Sequence, residues 1–238
     1  MTDFRSLHLD RPPGDPLVLP GPWDAASARA FAEAGFPALA TPSAGVAAAL
    51  GYADGETPAD EMFAAISRIV RAVEGFGVAV SADIEAGYGL PPEELAERLL
   101  GTGAVGCNLE DSSGEGLGDA QQNADRLAAF RAAAGGGLFI NARVDTYIRG
   151  VSDPAQTIDR ALRYVAAGAD CVYPIMAPPD QLPGLASGIG APLNALFLPD
   201  GPSPRELGGL GATRITFGPG LLRQSMERLR RDAKVLMA

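Results

Sequence analysis

The sequence predicts an α/β fold closed as a (β/α)8 barrel. Short apolar or β-branched runs alternate with helix-patterned Ala/Leu/Glu/Arg stretches along the whole 238-residue chain. The alternation repeats eight times, and parallel strands need such crossovers. Eight units in about 250 residues is the size of a barrel. The rival doubly wound sheet carries a Gly-rich turn after its first strand, where this chain reads Gly21-Pro22-Trp23-Asp24.

Strands are expected at 17–20, 38–42, 78–85, 106–111, 138–145, 171–177, 192–197 and 214–218. Helices are expected at 25–34, 59–74, 92–102, 120–134, 154–167, 179–187, 204–210 and 221–235. Several open on Pro in the first turn and stop at Gly, as at Gly35, Gly75, Gly103, Gly168 and Gly211. The last helix is amphipathic, with Leu221, Leu222, Met226, Leu229 and Val235 among arginines. Core packing and docking on a second subunit are both open for it. A chain of this mass can bury about 70% of its surface, and no linker interrupts it, so residues 1–238 read as one domain.

Composition excludes several functions. With 19 basic against 29 acidic residues and a net charge of -10, no basic face is available for a phosphate backbone, and nucleic acid is not an expected partner. No apolar run approaches the roughly 20 residues that span a bilayer, and residues 1–11 lack a signal-peptide apolar region. Membrane association is therefore not expected. Cys107 and Cys171 lie in apolar strand-like runs, which points to buried reduced thiols and a cytoplasmic location. The single histidine, His8, precedes the first strand and is expected at the surface.

Barrel active sites lie at the carboxyl ends of the strands. There the third predicted strand places Asp83 and Glu85, the fourth Asn108, Glu110 and Asp111, the fifth Asn141, Arg143 and Asp145, and the seventh Asn194. Asp83 and Glu85, two residues apart, would share one strand face about 6.5–7 Å apart. Three carboxylates in one poorly solvated mouth repel each other, and a bound cation resolves that. Oxygen donors without His or Cys favour a hard ion such as Mg²⁺. Taken singly, each acid could instead cap a following helix. Arg143 offers a fork for a substrate carboxylate or pairs with Asp145 and the strand-end acids. Asp111 and Asp145 read as helix caps or as supports for the site. Asn194 either meets a substrate carboxylate or is a buried amide satisfied by backbone.

Several segments together resemble the isocitrate lyase/phosphoenolpyruvate mutase superfamily. They include Ser43-Ala44-Gly45-Val46-Ala47, Leu50-Gly51-Tyr52-Ala53-Asp54-Gly55, Asp83-Ile84-Glu85-Ala86-Gly87-Tyr88-Gly89 and Asn108-Leu109-Glu110-Asp111. Ile140-Asn141-Ala142-Arg143-Val144-Asp145, Gly168-Ala169-Asp170 and Gly218-Pro219-Gly220-Leu221-Leu222 continue the likeness, which runs from about residue 16 to 225 in order. The resemblance implies a barrel of the phosphoenolpyruvate/pyruvate-binding type, a homodimer or homotetramer, with an exchanged last helix. It also implies Mg²⁺ or Mn²⁺ and a small 2-oxo or 2-hydroxy carboxylate, transformed through a metal-stabilised enolate.

Carried across, Asp83 and Glu85 fall on the metal-binding pair, with Glu110 a further ligand or water-mediated contact. Asp54 falls on the acid that orients metal-bound water. Pro42, Ser43 and Ala44 fall on the turn that holds the substrate carboxylate or enolate oxygen, and Arg143 on the substrate-binding arginine. Glu85 stands where the family has aspartate. The stretch from Asp111 to Asp119 has no Cys, Lys or His, so it lacks the lyase Lys-Lys/Arg-Cys-Gly-His motif and the mutase gating residues. That argues against isocitrate or methylisocitrate cleavage by the usual mechanism. Asp54, Tyr52 and Tyr88 are left as candidates for moving protons. The implied reaction is C–C cleavage by retro-aldol or decarboxylation. Its rivals are hydrolysis of a P–C or C–C bond, of the phosphonopyruvate or oxaloacetate kind, and carboxylate binding without catalysis.

Overall fold

Eight parallel strands form the wall of the barrel in the computed structural model, which describes residues 3–9, 11–114 and 116–237. In chain order they are β1 (Leu17–Val18), β2 (Ala38–Thr41), β3 (Ala79–Asp83), β4 (Gly106–Glu110), β7 (Phe139–Val144), β8 (Cys171–Pro174), β9 (Asn194–Leu196) and β10 (Arg214–Thr216). Two very short strands, β5 (Ser112–Ser113) and β6 (Gly116–Leu117), make an antiparallel hairpin just after β4. Strands β2-β3-β4-β7-β8 pair consecutively, and so do β1-β10-β9. The two sheets join at Val172, whose N–H donates to Pro192 at 2.9 Å, and at Ala40, whose N–H donates to Pro20 at 3.1 Å. Those two bonds close the circle.

The helices are α1 (Ala25–Glu33), α2 (Ser43–Leu50), α3 (Ala59–Val73), α4 (Pro92–Gly101), α5 (Ala120–Ala134), α6 (Pro154–Ala166), α7 (Leu182–Ile189), α8 (Pro204–Gly209) and α9 (Gly220–Leu236). Helix α3 shows why the outer layer holds. Met62, Phe63, Ile66, Ile69 and Val73 recur at helical spacing and are all buried, each contributing about 1.5–3 kcal/mol as an upper range. Strand β2 is buried on both faces, as expected for a parallel sheet covered by helices. Asp24 starts α1 with a capping box, accepting from Ser27 N–H at 2.7 Å. Among the described residues no helix is long and apolar enough to cross a membrane.

The structure differs from the sequence reading in several places. Residues 43–50, of which Ser43 and Ala44 are expected in a turn and the rest in no element, form α2, because Ala-rich sequence follows directly on Pro42. Strand β3 ends at Asp83, short of the expected 85. For the last helix, where core packing and docking are both open, core packing accounts for its start alone. Only Leu222 of α9 is buried, whereas Leu229 and Val235 are exposed.

His8, expected at the surface, is 2% exposed. It stacks on Phe139, the first residue of β7, with ring centroids 4.0 Å apart. Its Nδ1 is 2.9 Å from the Phe4 carbonyl oxygen. With Phe4 it plugs the amino end of the barrel, opposite the strand ends that carry the acids. Beside it the guanidinium of Arg214 is fully buried, its Nη2 donating to Ser81 Oγ at 3.2 Å and Asn108 Oδ1 at 3.4 Å. Both cysteines are free and buried.

Burial, and then the nearby Arg214 charge, push the His8 pKa down to about 3. The unfolded chain therefore binds a proton below about pH 6.5 that the folded chain refuses. Stability is predicted to fall as pH drops from 6.5 toward 3. His8→Phe keeps a ring on Phe139 but should lose about 3 kcal/mol less than wild type between pH 7 and pH 4. Denaturant titrations at the two pH values check this; equal losses would contradict it.

Candidate active site

The chain turns sharply where β3 ends. Asp83 Oδ1 accepts from the N–H of Glu85 at 3.1 Å, and Gly87 N–H donates to Ile84 at 2.8 Å. Glu85 takes a left-handed φ of 51°, so it does not share a strand face with Asp83 as strict alternation would require. Its carbonyl is held by the N–H of Glu110 at 2.9 Å, which fixes the turn against the end of β4. Among the described residues the non-glycines with left-handed backbone are Glu85, Tyr88 and Met176, and all three line one cavity. Backbone strain of this kind gathers at functional sites.

That cavity, about 1330 Å³, lies at the carboxyl ends of the strands. It brings together Pro42, Ser43, Ala44, Asp54, Asp83, Glu85, Glu110 and Arg143, residues from four separate strand ends and the connections that follow them. Asn194 is the exception. It opens β9, in register with Arg214 at the start of β10, and so lies toward the amino end of the barrel. Its amide donates to Thr216 Oγ1 at 2.9 Å and to the Ala195 carbonyl at 3.2 Å, and it does not line the cavity. The amide is buried but satisfied only in part, because its Oδ1 has no hydrogen-bond partner. Tyr52 also lies outside the lining, donating its hydroxyl to Glu61 at 2.6 Å.

Arg143 organises the cluster. Its Nη1 donates to Glu110, and its Nε and Nη2 donate to Asp145 at 2.6 and 3.2 Å. Those contacts use three of its five N–H groups, so Arg143 pairs with neighbouring acids and still has donors for a ligand. Asp145 is fully buried and also accepts from Ser112 Oγ. Behind it, Asp111 accepts from Asp145 N–H, Arg160 Nε and Tyr164 hydroxyl at 2.8–2.9 Å. Asp111 and Asp145 thus support the site and cap no helix. Sequence reading missed Ser112, Arg160 and Tyr164, because they are distant along the chain from the acids they serve.

Electrostatics mark the floor of the cavity. Burial raises the Asp83 pKa, against the pull of Arg143. Burial, then the charges of Asp83 and Asp54, push Glu85 up to about 7. Burial and the Asp83 charge raise Glu110 as well, despite its contact with Arg143. For Arg143, burial alone would favour the neutral form, but Glu110, Asp145 and Asp83 outweigh it and hold the guanidinium charged. The Tyr88 hydroxyl is buried without a partner, and burial keeps it protonated.

Among the described residues no three His, Cys, Asp or Glu side chains form a ready-made metal cage. A hard divalent ion does not need one, since Mg²⁺ keeps several waters and takes only one or two carboxylates. The residues present fit such an ion: Glu85 Oε1 is buried without a hydrogen-bond partner, beside acids that repel each other. Asp83 and Glu85 would hold it, with Glu110 next in reach.

The family model described as phosphoenolpyruvate phosphomutase matches residues 4–237. The chain belongs to this family. It is 39% identical over 217 residues to an uncharacterised protein of Mycobacterium tuberculosis, covering 90% of this chain and 81% of that protein. A candidate phosphonomutase from Burkholderia cenocepacia J2315 superposes with a TM-score of 0.88 at 40% identity, over 97% of each chain. A 2,3-dimethylmalate lyase of the PEP mutase/isocitrate lyase superfamily superposes with a TM-score of 0.85 at 25% identity, over 99% of this chain and 86% of that one. The barrel and its superfamily are those the sequence motifs imply.

A carboxylate with a raised pKa stabilises the fold while protonated and costs stability once it ionises. Without divalent ions, the Glu85 contribution is present below about pH 4.5 and lost as pH rises through about 7. Glu85→Gln should therefore raise Tm at pH 8 by about 2–4 °C, after discounting for solvent screening, and leave it unchanged at pH 4. Thermal melts in a chelator at the two pH values check this.

Proposed function

We propose that the protein is a Mg²⁺-dependent enzyme that cleaves a C–C bond of a small 2-oxo or 2-hydroxy carboxylate, by retro-aldol reaction or decarboxylation. One observation carries the reading: Asp83, Glu85 and Glu110 converge with a charged, largely buried Arg143 in one cavity at the barrel mouth. When bound, a divalent ion supplies positive charge where oxygen becomes negative during such a cleavage.

The chain's own residues supply the rest. Arg143 keeps two N–H groups beyond those given to Glu110 and Asp145, enough for a forked grip on a substrate carboxylate. Asp145, itself held through its backbone by Asp111, fixes the plane of that fork. Ser43 and Ala44 begin α2 at the cavity wall, where first-turn N–H groups have no intrahelical acceptor and suit a developing oxyanion. The protonated Tyr88 hydroxyl offers a donor, and Asp54, exposed at the rim, an acceptor. The exposed apolar residues of α9 suit docking of a second copy in a homodimer or homotetramer.

The test is Mg²⁺-dependent release of pyruvate or glyoxylate from a panel of 2-hydroxy and 2-oxo acids. Asp83→Ala should lower kcat/KM by about 10²–10³, the loss typical of removing one electrostatic stabiliser. Equal rates for wild type and variant would remove the proposal. Oxalate or inorganic phosphate among the products would assign hydrolysis in its place. Arg143→Lys should raise KM and lower kcat, because a point charge cannot keep both acids and still fork a carboxylate.

A further inference from the structure

Beside the main cavity lies a recess of about 110 Å³. Met176, Leu182, Ala195, Leu196, Leu198 and Leu207 line it together with prolines and small residues. No charged or hydrogen-bonding side chain lines it. Met176, Leu196 and Leu198 also line the main cavity, so the recess adjoins the space that holds the acids and Arg143 and shares a wall with it.

Two further observations bear on its use. Met176 and Leu198, at the shared wall, are 46% and 44% exposed, so apolar surface is open to a ligand on the side of the main cavity. Met176 is also held at a φ of 61°, a left-handed backbone that an unbranched side chain adopts only when its surroundings impose it. Prolines 174, 178, 179 and 202 stiffen the surrounding loops, so the recess is formed before anything enters it.

We propose that this recess is a subsite for an apolar tail on the substrate. The substrate class is then a 2-oxo or 2-hydroxy acid bearing a short alkyl or aryl group at the end away from its carboxylate. The inference rests on the acid-binding role proposed for the main cavity. The recess has the size order of a 150 Å³ cavity that admits benzene. A second carboxylate placed there would shed its water and find no partner. The cationic lining residues Arg149 and Arg223 belong to the main cavity and not to the recess, so they would serve a dicarboxylate only if its far end stayed outside.

Calorimetric titration with Mg²⁺ present separates these cases. The probes are oxalate, pyruvate, 2-oxobutanoate, 2-oxohexanoate and 2-oxooctanoate, set against 2-oxoglutarate and 2-oxoadipate. Affinity should rise about four-fold per added methylene until the recess is full, and the ω-carboxylates should gain nothing over 2-oxobutanoate. Leu198→Arg, at an exposed position, and Ala195→Leu, which fills the recess, should each bring the affinity ratio of 2-oxooctanoate to pyruvate close to one. Should Ala195→Leu fail to fold, Leu198→Arg still decides. A flat series in wild type, or preference for the ω-carboxylates, overturns the tail subsite and leaves the acid site standing. Absence of binding by oxalate, pyruvate and every longer acid overturns both.

Discussion

The arrangement at the barrel mouth depends on one interaction, the guanidinium of Arg143 held between Glu110 and Asp145. Ionised carboxylates taken out of water cost several kcal/mol each, and here Asp83, Glu85 and Glu110 crowd one cavity. Arginine suits the position because it stays charged under burial and can address two acids in fixed directions. Glu110 ends β4 and Arg143 lies near the end of β7, and the two are partners in strand register. The sheet itself therefore aligns the pair before any ligand arrives.

A second layer keeps Arg143 in place. Asp145 takes two of its N–H groups and is bound in turn by Asp111 and Ser112, which belong to the segment following β4. Arg160 and Tyr164 of α6 then hold Asp111. The barrel thus separates its tasks. The amino end is closed by Phe4 and His8 against Phe139, with Arg214 buried nearby, and serves stability. The carboxyl end carries the strained turns and unsatisfied acids, a cost in stability that structures retain where it serves function.

Much of the fold was legible because βα alternation has few physical solutions, and the acids were legible because barrels concentrate chemistry at strand ends. What failed did so for local reasons. Glu85 was placed by alternation, but the strand stops at Asp83 and the backbone reverses its hand. Asn194 lies on a three-residue strand, too short for sequence to say which end faces the cavity. His8 was invisible as a core residue because its partners, Phe139 and Arg214, are more than 130 positions away along the chain. The apolar recess had no signature either, since its walls come from β8, β9, α7, α8 and the connections between them, with a left-handed methionine that no pattern announces.

The most direct test of the central claim is a crystal structure with Mn²⁺ and oxalate, read by the anomalous signal of the metal. The ion should appear beside Asp83 and Glu85, with one oxalate carboxylate turned toward Arg143 while that arginine keeps Glu110 and Asp145. An ion bound elsewhere with these acids left bare, or oxalate seated away from Arg143, would contradict it.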